Sequence, residues 1–280
     1  FIDHTSQDDR AVISHLQQAI RATGPSPELM FALAQRYFHI GLPELAEGWY
    51  QRTIQIQPLH ERAYLGSIAS LEQLVQDGEK NAVEQLIERY KAYLERWPDN
   101  RNIRREYALF LVKQERFEIA QTELESLFAW DVTNMTLRRL LAYVYRKNRR
   151  YRDAAILLKG VLKEDPQNIP VLLEFIGCLD RSNMKQYSYT ILEKAVKHFK
   201  QSSEIALAFG DAAYREKKIE LALDAYREAA VRNTKDPRPY QRMALIYRKQ
   251  GIIEMADRYE NEAKLRENPK KKLPNSKKKL

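Results

Sequence analysis

Two consecutive stretches of the chain, RNIRREYALFLVKQERFEIAQTELESLFAWDVTN (101–134) and MTLRRLLAYVYRKNRRYRDAAILLKGVLKEDPQN (135–168), align residue for residue without a gap. Both place an apolar residue at their seventh, eleventh and seventeenth positions and alanine at their eighth and twentieth. The same 34-residue frame runs on through 169–202, 203–236 and 237–270. Upstream, 27–60 obeys it, and 61–100 obeys it with six extra residues. A unit this short cannot bury its own apolar faces, so successive units must stack to share a core.

The spacing fixes the kind of unit. Positions 7, 8 and 11 form one stripe of a first helix, and positions 20, 24 and 27 one stripe of a second. The eighth position carries Ala34, Ile68, Ala108, Ala142, Ile176, Gly210 and Ala244; the twentieth carries Ala46, Leu86, Ala120, Ala154, Ser188, Ala222 and Ala256. Small side chains at most of these places let two helices approach closely. Larger ones at position 11 (Tyr37, Leu71, Leu111, Tyr145, Leu179, Ala213, Tyr247) fill the space beside them. Pro58, Pro98 and Pro166 close three of the units, where a proline cannot extend the second helix. Composition agrees: good helix formers dominate, and nine glycines in 280 residues leave little turn chemistry for a β fold. The fold class predicted is all-α.

This pattern resembles the tetratricopeptide repeat (TPR) family, and the resemblance covers 27–270 in seven units: 27–60, 61–100, 101–134, 135–168, 169–202, 203–236 and 237–270. It implies an α-solenoid, a right-handed superhelix of helix-turn-helix units whose concave groove is lined by first-helix positions 2, 5, 6, 9, 12 and 13. Here position 5 supplies Phe31, Leu65, Arg105, Arg139, Leu173, Leu207 and Gln241, and position 9 supplies Gln35, Ala69, Leu109, Tyr143, Gly177, Asp211 and Leu245. Such a mixed surface suits a partner segment with acidic and apolar side chains. The carboxylate clamp of the chaperone-binding members needs asparagine at positions 6 and 9, and neither position is asparagine in any unit.

The ends read differently. Residues 1–26 hold a helix whose Val12, Leu16 and Ala19 continue the second-helix stripe, as either a solitary cap or the second half of a truncated repeat. Because the chain opens on Phe1 and not on methionine, the truncated repeat is the reading preferred. The stretch 271–280 is expected to be a disordered basic tail, too poor in apolar residues to order itself. Six lysines between Lys270 and Lys279 carry most of the net charge of +9, leaving 9 − 6 = +3 for everything before them. Net charge therefore gives no strong nucleic-acid signal for the repeats as a whole.

A local signal does exist. In YRKNRRYRDA (145–154) the repeat accounts for Tyr145, Tyr151 and Ala154 as packing residues, but not for Arg146, Lys147, Arg149, Arg150 and Arg152. Cations near a helix C-terminus complement its dipole, which explains part of them. Positions 12 and 13 of the last five units add Lys113, Arg181, Arg215, Arg248 and Lys249, with Asp180 the one acid among them. Stacking would align these as a basic ladder along one edge of the groove. The partner-binding set predicted is Arg105, Lys113, Arg139, Tyr143, Arg146, Lys147, Leu173, Arg181, Leu207, Arg215, Arg248 and Lys249.

Catalysis finds no support in the motifs. The five histidines (His4, His15, His39, His60, His198) include no pair at the i, i+4 spacing of a metal site, and Cys178, the only cysteine, reads as a buried apolar residue. No phosphate-cradling glycine loop or nucleophile elbow occurs, and no cofactor or metal is expected. No apolar run is long enough to span a membrane, and no secretory signal is visible, so a cytoplasmic location is expected. The function predicted is that of a non-catalytic scaffold or adaptor that holds an acidic, partly apolar protein or peptide segment. Two alternatives are a nucleic-acid binder using unit 135–168 and the lysine tail, and a peptide-sensing regulator.

Overall fold

The computed structural model describes residues 3–267. Among them lie fifteen α-helices and no strand, in an all-α helical repeat. Two compact units divide between Val132 and Thr133. The first holds α1 (Asp3–Thr23), α2 (Pro27–His39), α3 (Pro43–Ile56), α4 (Glu61–Gln76), α5 (Ala82–Arg96), α6 (Arg101–Lys113) and α7 (Phe117–Trp130). The second holds α8 (Met135–Lys147), α9 (Tyr151–Glu164), α10 (Ile169–Arg181), α11 (Lys185–His198), α12 (Ser203–Arg215), α13 (Ile219–Arg232), α14 (Arg238–Lys249) and α15 (Ile253–Glu267). Within each, a helix packs on the ones before and after it, and α2 also meets α4, as α10 meets α12. The tail expected over 271–280 lies outside the described residues.

Side-chain caps start the even-numbered helices. Ser26, His60, Asn100, Asn134, Asn168 and Ser202 each accept the backbone N–H three residues ahead, at 3.1–3.4 Å. At the entry to α14 Asp236 accepts instead from the Arg238 N–H two residues ahead, at 2.9 Å. These seven residues recur at 34-residue steps, with one step of 40, so each satisfies an orphan donor of a helix start at the same point of the repeat.

Left-handed residues end those same helices. Gly41, Gly78, Glu115, Arg149, Asn183, Lys217 and Gly251 all have φ between 56° and 80°. The next N–H reaches back to the carbonyl five residues earlier, as in Arg116 to Leu111, Arg150 to Tyr145 and Lys218 to Ala213, at 2.8–2.9 Å. That bond and the left-handed residue close a Schellman turn, which reverses the chain into the next helix. The insertion in 61–100 acts here: α4 runs 16 residues where α2 and α6 run 13, and Gly78 and Asn81 (φ 69°) share the longer turn.

The small stripe residues sit where the helices meet. Ala34, Ala46, Ala108, Ala120, Ala142, Ala154, Ser188, Ala222 and Ala256 have no exposed surface. Larger residues take the same positions in the irregular units, with Ile68, Leu86 and Ile176 also buried. In the first unit tyrosines fill much of the core. Tyr90 donates to Glu72 at 2.7 Å and stacks on Tyr107 with centroids 5.1 Å apart, while Tyr93 donates to Glu61 at 2.7 Å. Burial, reinforced by the Glu61 bond, pushes the Tyr93 hydroxyl up to about 12. Helix α1 is fastened to α2 by buried Asp9, which meets Arg36 and His39 at 3.1 Å each, and by Gln17, which donates to the Tyr37 hydroxyl at 2.8 Å.

Candidate partner-binding surface

The first helices of each pair leave large apolar side chains in solvent at the positions that resemblance assigns to a groove. Leu65 and Leu109 in the first unit, and Tyr143 and Leu245 in the second, are 36–49% exposed. Arg105 and Arg139, one turn before Leu109 and Tyr143, are exposed too, as is Lys113 at the end of α6. Cations thus flank apolar side chains on one helical face, four residues apart. Leu173 is half-buried against the core.

Leu207 is corrected by the structure. It is 7% exposed and belongs to the core cluster with Phe209 and Ala212. Four alanines on α12, Ala206, Ala208, Ala212 and Ala213, keep the helix slim enough for its neighbours to pack closely around Leu207. It cannot serve as an accessible contact.

The ladder of cations is also different from the one expected. Arg146 pairs with Glu174 at 2.8 Å, Arg215 with Asp180 at 2.7 Å, and Arg248 with Asp257 at 2.8 Å and Glu260 at 3.1 Å. Lys249 donates to the Tyr214 hydroxyl at 3.0 Å. Carboxylates therefore alternate with guanidinium groups along this edge. Among the described residues it presents mixed charge and no uniformly positive strip. Asp180 also accepts from the Ser188 hydroxyl, which ties the edge to the close-packed position 20.

One place on the edge keeps cations together. A hollow of about 150 Å³ is lined by Tyr143, Arg146 and Lys147 of α8, Tyr151 of α9 and Arg181 of α10. The Lys147 ammonium lies 5.5 Å from the centre of the Tyr143 ring, and the Arg181 guanidinium 5.6 Å from that of Tyr151. Four of the five were read from the sequence. Tyr151 was assigned to packing alone, although its neighbour at position 13 of the following unit is a cation in most units, and that pairing was the available signal.

A second concavity was not foreseen. A groove of about 720 Å³ between α3 and α5 is lined by Glu44, Glu47, Glu84 and Glu88 with Arg89. Arg89 pairs with Glu47 at 2.8 Å, and Glu84 and Glu88 with Arg116 and Lys91. Burial raises the Glu47 carboxyl above its ordinary value, against the pull of Arg89. Cys178 is fully buried, which raises its thiol in the same sense and leaves it poorly nucleophilic. Among the described residues no group of three or more His, Cys, Asp or Glu could hold a metal, and no helix is long and apolar enough to cross a membrane.

Comparison with known proteins agrees with this architecture. A tetratricopeptide repeat family model matches residues 108–169 and 190–237. No curated protein sequence matches the chain. Among solved structures, MamA is similar over 57% of this chain and 94% of its own, at 19% identity and a TM-score of 0.50. MamA residues 41 to the end from Desulfovibrio magneticus RS-1 match over 62% of this chain and 98% of theirs, at 13% identity and a TM-score of 0.53. At these identities the likeness is one of fold. With the repeat frame, the recurring caps and turns, and the family match together, the chain is a tetratricopeptide-like helical repeat protein.

Proposed function

We propose that the chain is a non-catalytic scaffold that holds a segment of a partner protein against the first-helix face of its repeats. The observation that carries this reading is the exposure of Leu109, Tyr143 and Leu245 at one repeat position, beside Arg105 and Arg139 at another. An isolated exposed leucine means little, but the second unit exposes a large apolar side chain at this position on two of its helices, Tyr143 on α8 and Leu245 on α14. The first unit repeats the feature at Leu109. Apolar contacts would supply residence time, and the charged edge would register the segment and speed encounter.

Mixed charge on that edge weighs against the nucleic-acid alternative. A phosphate backbone running along it would pass Glu174, Asp180, Asp257 and Glu260, each already holding an arginine. The preference for an acidic partner is correspondingly local, confined to places where cations gather without a lining carboxylate.

Tyr143→Ala with Leu245→Ala should reduce retention of proteins captured by the intact chain, chiefly by faster dissociation. Ile156→Ala with Val231→Ala, at second-helix side chains 70% and 78% exposed, should leave retention unchanged. The reverse pattern would place the binding surface on the second helices and overturn the reading.

A further inference from the structure

We propose that the hollow formed by Tyr143, Arg146, Lys147, Tyr151 and Arg181 is a binding site for a phosphate monoester, carried as a phosphorylated side chain on the partner segment. The inference rests on the protein-binding reading above and adds the chemistry of one recognised group.

Among the described residues three cations and two phenols line the hollow and no carboxylate does, although Arg146 reaches out of it to Glu174. At about 150 Å³ it has about five times a water molecule's share of liquid volume, which suits a single phosphoryl group. A phosphorylated side chain offers three strong acceptor oxygens and up to two negative charges near neutral pH. Three cationic donors from two helices can meet three oxygens, whereas a carboxylate offers two oxygens in a plane and a single charge.

The lining is held for such a guest. Glu174 stands outside the hollow and fixes Arg146 at 2.8 Å. Arg181 lies over the ring of Tyr151, with Gly177 one turn before it on the same helix. Arg181 forms no ion pair among the described residues. A cation resting on a ring face is held more weakly than one in a charge-assisted hydrogen bond, so it can turn to an arriving anion at little cost.

The neighbouring rungs explain why one group fits better than a polymer. Arg215 is held by Asp180, and Arg248 by Asp257 and Glu260, so a second phosphate along the same edge would meet carboxylates. A lone dianion in the hollow has one carboxylate near it, Glu174, which Arg146 already holds at 2.8 Å.

The test uses the full chain and three degenerate nonapeptide pools that differ only at the central residue: phosphoserine, serine or glutamate. Fluorescence anisotropy should show the phosphoserine pool binding about tenfold or more tightly than the other two. Arg181→Ala should erase that margin, Arg181→Lys should keep part of it, and Arg215→Ala, at a rung already neutralised, should leave it intact. Equal binding of all three pools would overturn the phosphate site while leaving the scaffold reading standing. Binding of none would overturn the site as well, and retention in the first-helix variants would still judge the scaffold reading separately. An Arg181→Ala variant that keeps the margin would overturn the assignment to this hollow. Displacement of the phosphoserine pool by oligouridylate at lower concentration than by its own unlabelled form would overturn the proposal in favour of nucleic acid.

Discussion

Gly210 on α12 lies so close under the ring of Tyr226 on α13 that a Cβ there would stand 2.6 Å from Tyr226 Cε1. The Tyr226 hydroxyl donates to Asp211 at 2.8 Å, so the ring is fixed at its far end and cannot slide away. Gly66 and Tyr50 stand in the same relation in the first unit. Glycine in mid-helix costs about 0.5–1 kcal/mol relative to alanine, a cost these helices bear to seat a tyrosine. Gly210→Ala should regain that amount and lose more by overpacking, for a net destabilisation of about 1–2 kcal/mol. Urea unfolding measures it, and a variant as stable as the parent would mean that the ring has room to yield.

The turns make the opposite prediction. Lys217 holds φ at 60° in a turn that Gly251, at 78°, forms in the next unit. A side chain with a Cβ pays for the left-handed region by about 1–2 kcal/mol. Glycine has more freedom to lose from the unfolded chain, which returns part of this. Lys217→Gly should therefore stabilise by about 0.5–1 kcal/mol, and Gly251→Lys should destabilise by a similar amount. Paired thermal melts of the two variants check both signs at once.

These turns show what was legible in the sequence and what was not. The apolar and small stripes could be read directly, because packing acts on residue size at fixed spacing, and size is written in the letters. The caps Asn100, Asn134, Asn168 and Ser202 were equally periodic but carry no apolar signal, so they surface only when backbone donors are counted. Glu115, Arg149 and Lys217 gave no hint of a left-handed backbone, since nothing in those residue types favours it. The ion pairs were hidden for another reason. Arg146 finds Glu174 and Arg215 finds Asp180 across a helix boundary, at sequence separations that depend on how successive helices are laid side by side. Reading the cations without their partners turned a mixed edge into a basic one. Leu207 failed similarly: its position was right for the groove, but the small neighbours that let the core close over it acted through packing.

Asp236 supplies a pH-dependent prediction. Burial alone would raise its carboxyl, but bonds from the Arg238 guanidinium and backbone outweigh that and hold it below its ordinary value of 3.8. A carboxyl depressed by folding contributes stability that is fully present above its unfolded value and is lost as pH falls through its folded value. Asp236→Asn should therefore destabilise the chain at neutral pH, and the gap between variant and parent should narrow below about pH 3.8. Urea midpoints at neutral pH and near pH 3 would test this. A gap that is constant across the range would show that the residue acts through its shape as a cap alone.

The last prediction separates charge from packing on the edge. Asp180 holds Arg215 at 2.7 Å and accepts from Ser188, whose side chain is fully buried. Asp180→Asn keeps the shape and the hydroxyl bond but removes the negative charge, leaving Arg215 without its counter-ion. Exposed or half-exposed ion pairs are worth about 0.2–1 kcal/mol, so the melting temperature should fall only slightly. An acidic segment approaching the edge would then meet one more uncompensated cation. In stopped-flow mixing with a labelled peptide of alternating glutamate and leucine, the association rate should rise, and the gain should shrink as salt screens it. Dissociation should change little, because the apolar contacts at Tyr143 and Leu245 are untouched. An association rate that ignores the substitution at low salt would mean that this edge does not face the arriving segment, and the acidic peptide would have to be steered by other cations of the chain.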